Sequence, residues 1–380
     1  MRVPYFTPDI GEEEIREVVD TLRAGWVTTG PKSKAFENAM CSFLGGEVET
    51  IAVSSATAGL HLALEALGVG PGDEVIVPVF TFTATAEVVV YLGATPVFVD
   101  VDEVDLNITL ANIEEKVSPR TKAVIVVHFA GKACDMTAIQ PYCKAHGIKL
   151  IEDAAHALPA TCNGRLIGTL DSDATVFSFY ANKTMTSGEG GMVITKNPQV
   201  ASRCRVMRLH GIDRDSFDRY TSDKPKWFYE IVAPGYKYNL SDIHASLGIV
   251  QLKRLKGFQN RRSLIANEYL SRFSHLNITL PANVPLGEVH AWHLFTIRLP
   301  SDVDRNGFIE DLSSEGVGTS VHFIPLNRHP YWKNSFNLTD EMFPIATRAY
   351  EKVVSLPIFT LMSPEQLDIV VDSVTGALNG

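Results

Sequence analysis

The run Phe177-Ser178-Phe179-Tyr180-Ala181-Asn182-Lys183-Thr184-Met185-Thr186-Ser187-Gly188-Glu189-Gly190-Gly191 decides how this chain is read. Its apolar front half has the character of a strand, and that strand delivers a single amine into a glycine-rich turn. Such placement suits a lysine that forms a Schiff base. Upstream, Ile151-Glu152-Asp153-Ala154-Ala155-His156-Ala157 puts a carboxylate at the end of a second predicted strand. A carbonyl cofactor with a basic ring nitrogen would use both groups.

Outward from these two runs, residues 50 to 195 alternate short β-branched segments with helical stretches, the pattern of an α/β fold with a largely parallel sheet covered by helices. Strands are predicted at Thr50–Val53, Glu74–Val77, Thr95–Val99, Lys122–Val127, Ile148–Ile151, Ala174–Phe177 and Met192–Thr195. Helices are predicted near 57–67, 82–92, 110–116 and 136–146, with Pro71-Gly72-Asp73 and His146-Gly147 as turns between elements. Gln199–Arg208 and Asp242–Gln259 also read as helical. A large domain over 1–255 and a smaller α+β domain over 256–380 are expected, the latter with strands at Val289–Leu299 and Gly318–Phe323 and helices near 343–354 and 364–377. Residues 211–238 form a polar, aromatic segment of little periodicity. Loops beyond about 12 to 15 residues are often functional, and this one is expected to reach a partner subunit.

At 380 residues the chain exceeds a typical single core of about 100 to 200 residues. Hydrophobic residues make up 45% and charged residues 21%, the balance of a soluble globular enzyme rather than a disordered or fibrous chain. A formal net charge of −10 disfavours nonspecific attraction to nucleic acid or anionic lipid, while leaving room for a local basic pocket. The five cysteines have no CxxC spacing and an odd count, which fits a reducing compartment. The first residues lack the basic start and the apolar core of about 7 to 15 residues of a secretory signal. Apolar stretches break well short of the roughly 20 residues that span a bilayer. A cytoplasmic protein with no membrane partner is expected.

Each candidate residue has a plainer reading beside the functional one. Val53-Ser54-Ser55-Ala56-Thr57-Ala58-Gly59-Leu60 follows a strand and opens a helix with small residues, which lets backbone N–H groups approach a phosphate. The same residues could simply cap a helix. Asp153 lies at the carboxyl edge of the sheet, where open α/β folds bind ligands, yet it could be an N-cap or half of an ion pair. Lys183 alone would more often be a solvated lysine. The three features together favour a cofactor site.

On these residues the chain resembles the DegT/StrS sugar aminotransferases, which use pyridoxal 5'-phosphate (PLP) on the fold of aspartate aminotransferase, fold type I. The resemblance extends over nearly the whole sequence. It also rests on Gly25-Trp26-Val27-Thr28-Thr29-Gly30-Pro31 and on Pro234-Gly235-Tyr236-Lys237-Tyr238-Asn239-Leu240-Ser241-Asp242. It implies that Lys183 forms the internal aldimine and moves the substrate proton, and that Asp153 keeps the pyridine nitrogen protonated. It further implies that Phe82 stacks on PLP, and that Ala56, Thr57 and Ser178 cradle the phosphate. Asn239 would reach the phosphate of the neighbouring subunit, which makes a homodimer the smallest complete enzyme. Core packing is the alternative for Phe82, and a turn role the alternative for Asn239. His156 stands where many relatives carry Gln and could hydrogen-bond the cofactor's phenolic oxygen. Tyr180 stands where relatives often carry His and is left outside the catalytic set. Some relatives replace the lysine with histidine and become dehydratases; Lys183 argues against that chemistry.

The resemblance implies a ping-pong transfer of nitrogen from glutamate to a keto sugar. His210 to Asn239 and His290-Ala291-Trp292-His293-Leu294-Phe295 resemble the branch that makes the 4-amino-4-deoxy-arabinose nucleotide for lipopolysaccharide, which points to a nucleotide-linked 4-keto sugar. An oxidised octulosonate is the alternative substrate. A noncatalytic PLP-binding regulator is the rival function, because fold alone does not prove turnover. His322 is similar to a substrate-contact histidine of that branch, with a core or rim histidine as the alternative. Trp26 and Thr28 are candidate sugar contacts. His290 and His293, on opposite faces of the expected strand, would not pair on a metal, and no metal site is read.

Overall fold

The computed structural model describes residues 2–213 and 227–379. Two helices, α1 (Glu12–Ala24) and α2 (Pro31–Phe43), precede the first strand, β1 (Glu49–Val53). Then come α3 (Ala56–Ala66), β2 (Glu74–Pro78), α4 (Ala84–Tyr91), β3 (Thr95–Val99), α5 (Leu110–Lys116), β4 (Thr121–Val127), α6 (Met136–Ala145) and β5 (Lys149–Asp153). A short hairpin, β6 (Thr161–Cys162) and β7 (Arg165–Leu166), leads to β8 (Ala174–Ser178), β9 (Gly191–Thr195) and α7 (Pro198–Met207). The strands other than the hairpin form one seven-stranded sheet in the order β1-β9-β8-β5-β4-β2-β3. Pairs β8–β5, β5–β4, β4–β2 and β2–β3 are parallel, and β9 runs against both its neighbours.

Side-chain alternation sets the layers. Ile51 and Val53 face one buried cluster and Ala52 another; Val75 and Val77 against Ile76 repeat the split, as does Ile125 against Val124 and Val126. Strand neighbours point to opposite faces, so a strand apolar at every position is covered on both sides. The first cluster takes side chains from α3, α4 and α7, the second from α2, α5 and α6. Helix α3 lies so close to the sheet that a Cβ on Gly59 would sit 2.7 Å from Val176 Cγ1.

A 31-residue helix, α8 (Asp242–Arg272), crosses the position where the sequence reading divides the chain. Its front half contributes Leu252 and Leu255 to the second cluster, and its rear half contributes Ile265, Ala266 and Tyr269 to a third cluster. That third cluster surrounds a two-stranded sheet of β10 (Phe295–Arg298) and β11 (Val353–Leu356), with α9 (Arg305–Ser314) and α12 (Pro364–Asn379) beside it; α10 (Pro330–Phe336) and α11 (Pro344–Lys352) complete the described helices. Among the described residues no helix is long and apolar enough to cross a membrane.

Three expectations for this part are corrected. The strand expected at Val289–Leu299 is confined to Phe295–Arg298, because Trp292 takes a left-handed φ of 49° and donates its N–H to His290 Nδ1 at 2.9 Å. A left-handed residue closed by a side chain cannot continue a strand. Gly318–Phe323 is not a strand either; within it Ser320 makes an isolated bridge to Ser355. The helix expected at 343–354 stops at Lys352, where the β-branched pair Val353 and Val354 enters β11. Of the loop at 211–238, residues 214–226 lie outside the described residues.

Candidate active site

The ends of β4, β5 and β8, the start of α3 and the turn after β8 enclose a cavity of about 440 Å³. Ala56, Thr57 and Phe82 line one side, and Asp153, His156 and Ser178 line another. Lys183 and His322 also face the cavity. Eight of the residues singled out from sequence therefore converge on one space.

Lys183 is half-buried, not a solvated surface lysine. Burial pushes its ammonium down to about 8, with the Asp153 charge pulling the other way. Asp153 reaches the same cavity by strand parity: it follows Ile151 to the face carrying α3 and α4. Its Oδ2 accepts the Thr85 hydroxyl at 2.8 Å and its Oδ1 accepts the Ala155 N–H at 3.2 Å. Burial nevertheless holds its carboxyl above the ordinary range, against those bonds and the charge of Lys183. Such a carboxylate needs a cationic neighbour. Glu152, one residue earlier, goes to the opposite face, where Oε1 accepts Thr175 Oγ1 at 2.9 Å and Oε2 lies 2.9 Å from His128 Nε2. His128 Nδ1 accepts the Cys134 N–H at 3.0 Å, so its proton is on Nε2 and is donated to Glu152.

At the start of α3, Ser55 Oγ accepts the Ala58 N–H at 3.1 Å, so the capping reading holds for Ser55. It does not exhaust the turn. The first amides of a helix have no intrahelical acceptor, and Ala56 and Thr57 both line the cavity. Gly191, opening β9, makes this approach possible: a Cβ there would lie 2.7 Å from Ala56 N and 2.7 Å from Ser55 O. Phe82 precedes α4 and is 60% exposed, which sets aside core packing. Its ring meets Phe323 at 6.3 Å.

His156 is buried, stacks on Phe323 at 5.8 Å and 19°, and has an Nδ1 without a partner among the described residues. Burial, reinforced by Lys183, keeps it well below the usual imidazole range and hence neutral. The lining residues that sequence reasoning left out of the site include four polar ones, of which Tyr180 was weighed and set aside. His293 packs 4.3 Å from His156, and its buried Nδ1 likewise lacks a partner among the described residues. Among the described residues Asn182 Oδ1 is buried without a partner, and Tyr180 and Glu189 also line the cavity. Three of these four stand in the opening run itself and were within reach of a reading that followed the turn residue by residue; His293 was assigned to a strand face that does not exist.

Three of the singled-out residues do not line this cavity. Asn239 Nδ2 donates to Thr29 Oγ1 at 2.5 Å, and its Oδ1 accepts from Lys237 Nζ at 2.6 Å. Trp26 Nε1 donates to the Thr29 carbonyl at 3.0 Å. Thr28 is exposed, and its carbonyl accepts the Asp242 N–H at 3.0 Å.

Residues 8–375 match the DegT/DnrJ/EryC1/StrS aminotransferase family. The chain belongs to that family. The spore coat polysaccharide biosynthesis protein SpsC of Bacillus subtilis (strain 168) is 44% identical over 382 residues, covering 100% of this chain and 97% of the relative. The Streptococcus pneumoniae protein Spr1654, solved in its PLP form, is 35% identical and superposes with a TM-score of 0.91 over 100% of this chain and 99% of the other. PseC of Helicobacter pylori, an aminotransferase of pseudoaminic acid biosynthesis, is 27% identical with a TM-score of 0.91 over 100% of both chains. The α/β architecture is thus that of the fold-type I PLP aminotransferases. The cavity fits such a cofactor in its own chemistry: an amine of lowered pKa, a buried carboxylate short of a cation, helix-start amides and unpaired buried polar atoms.

Proposed function

We propose that this protein is a PLP-dependent aminotransferase moving the amino group of glutamate to the keto carbon of a nucleotide-linked 4-keto sugar. The observation that carries the reading is the convergence on one cavity of Lys183 and the buried Asp153 carboxylate with Phe82, His156 and the start of α3. PLP, when bound, supplies an electron sink at the substrate carbon. Lys183 Nζ would hold the cofactor at its carbonyl and would take and return the substrate proton. Asp153 would hold a proton on the ring nitrogen, His156 would meet the phenolic oxygen, and Phe82 would cover the ring. Ala56 and Thr57 amides, with the Ser178 hydroxyl, would receive the phosphate at the positive end of α3.

His322 is assigned to the sugar. Asn239, Trp26 and Thr28 are assigned to the cavity of a partner subunit, a reading supported by their position outside the cavity of their own chain. A division near residue 255 belongs to the same proposal and is supported by the passage of α8 from one cluster to the next. The similarity to SpsC supports a sugar destined for a surface polysaccharide. The test is a glutamate-dependent amination screen over UDP-, dTDP- and GDP-linked 4-keto sugars and a keto-octulosonate. Amination of a nucleotide-linked 4-keto sugar is expected; turnover of the octulosonate alone would overturn the substrate assignment.

A further inference from the structure

His322 lines the cavity, and one of its ring nitrogens meets a buried hydroxyl. Nδ1 lies 2.9 Å from the hydroxyl of Ser355. Ser355 is fully buried and pinned by reciprocal backbone bonds with Ser320 at 3.1 and 2.8 Å. The ring of Tyr5 stacks on His322 at 5.9 Å and 24°, and its phenol interacts with the same Ser355 hydroxyl. Tyr5 has little freedom to leave. Val3 donates to the Gly316 carbonyl at 2.9 Å and accepts the Gly318 N–H at 2.8 Å, and a Cβ on Gly318 would sit 2.7 Å from Tyr5 N.

We propose that Tyr5 and Ser355 fix the tautomer of His322, holding its Nε2–H toward the cavity as a donor to a carbonyl or hydroxyl oxygen of the substrate. A phenol is the stronger donor of the two hydroxyls, and a neutral imidazole nitrogen is a stronger acceptor than either. The favoured chain therefore runs from Tyr5 O–H to Ser355 Oγ and from Ser355 O–H to His322 Nδ1. The ring proton is then on Nε2, which has no partner among the described residues. Burial and the Lys183 charge push the His322 imidazolium down to about 4, so the tautomer and not the charge decides whether the ring donates or accepts. Tyr5 and Ser355 are positioning residues. The substrate half of the inference rests on the reading of His322 as a sugar contact; the tautomer half does not.

Histidine ¹⁵N shifts of the PLP-loaded protein, with His322 assigned by its loss in His322→Asn, test the relay. A neutral, Nε2-protonated His322 is expected, shifting toward a tautomer mixture in Ser355→Ala and in the same direction in Tyr5→Phe, which keeps the stack. In Ser355→Ala the KM for the keto sugar should rise about tenfold, the weight of one hydrogen bond, with kcat far less affected. An Nδ1-protonated His322, or shifts unmoved by Ser355→Ala, would overturn the relay. Shifted tautomers with an unchanged KM would overturn the contact to substrate while leaving the aminotransferase reading intact. That reading fails separately if wild-type protein never forms 2-oxoglutarate from glutamate.

Discussion

Lys183 and Asp153 are each held away from their ordinary ionisation by the same burial, and each partly relieves the other. Sign matters here: the amine reacts with a carbonyl only when deprotonated, and its folded pKa is lowered. Capture of PLP by the apo protein should therefore accelerate as pH rises through about 8 and level off above it, followed by absorbance in stopped flow. Asp153→Asn keeps the shape but cannot hold the ring nitrogen protonated, so kcat should fall by about 10² to 10⁴ with PLP still captured by Lys183. Both residues were legible because Asp153 closes a strand-like run and Lys183 follows another into a glycine-rich turn, at the edge where ligands bind. Thr85, which steadies Asp153 from a different element, was not, since nothing local marks a contact between α4 and the end of β5. Tyr5 and Ser355 were hidden for the same reason.

At the scale of elements, the sheet strands could be read because β-branched runs buried on both faces stand between glycine and proline turns. The smaller sheet could not: β10 is four residues long and meets its partner β11 only after three intervening α-helices. The junction of α3 with β9 is the element on which the phosphate assignment depends. Gly191→Ala forces its Cβ against backbone that cannot rotate away, so it should cost about 1 to 3 kcal/mol in urea unfolding and weaken PLP in fluorescence titration. Further from the cavity, α7 is tied to α2 by the buried pair Arg208–Glu37 at 2.6 Å, where Arg208 also donates to the Ala52 carbonyl at 2.9 Å. Lys34 approaches the other Glu37 oxygen at 3.6 Å but is largely exposed, so it compensates little. Arg208→Ala should therefore cost about 3 kcal/mol, the weight of a buried charge left unpaired.

The whole molecule presents a cavity lined by residues from Ser55 to Phe323, while Asn239, Trp26 and Thr28 stand apart from it. If subunits share sites, light scattering should give twice the 41.7-kDa chain mass. Mixing inactive Lys183→Ala with an inactive Asn239→Ala should then restore part of the activity after subunit exchange; monomers, or no recovery, would contradict sharing. Amino transfer through Lys183 is the central claim, and the glutamate half-reaction isolates it from every question about the sugar. PLP-loaded protein mixed with glutamate and no keto sugar should release one equivalent of 2-oxoglutarate per subunit, and Lys183→Ala none. Wild-type release no greater than that of Lys183→Ala would contradict the account.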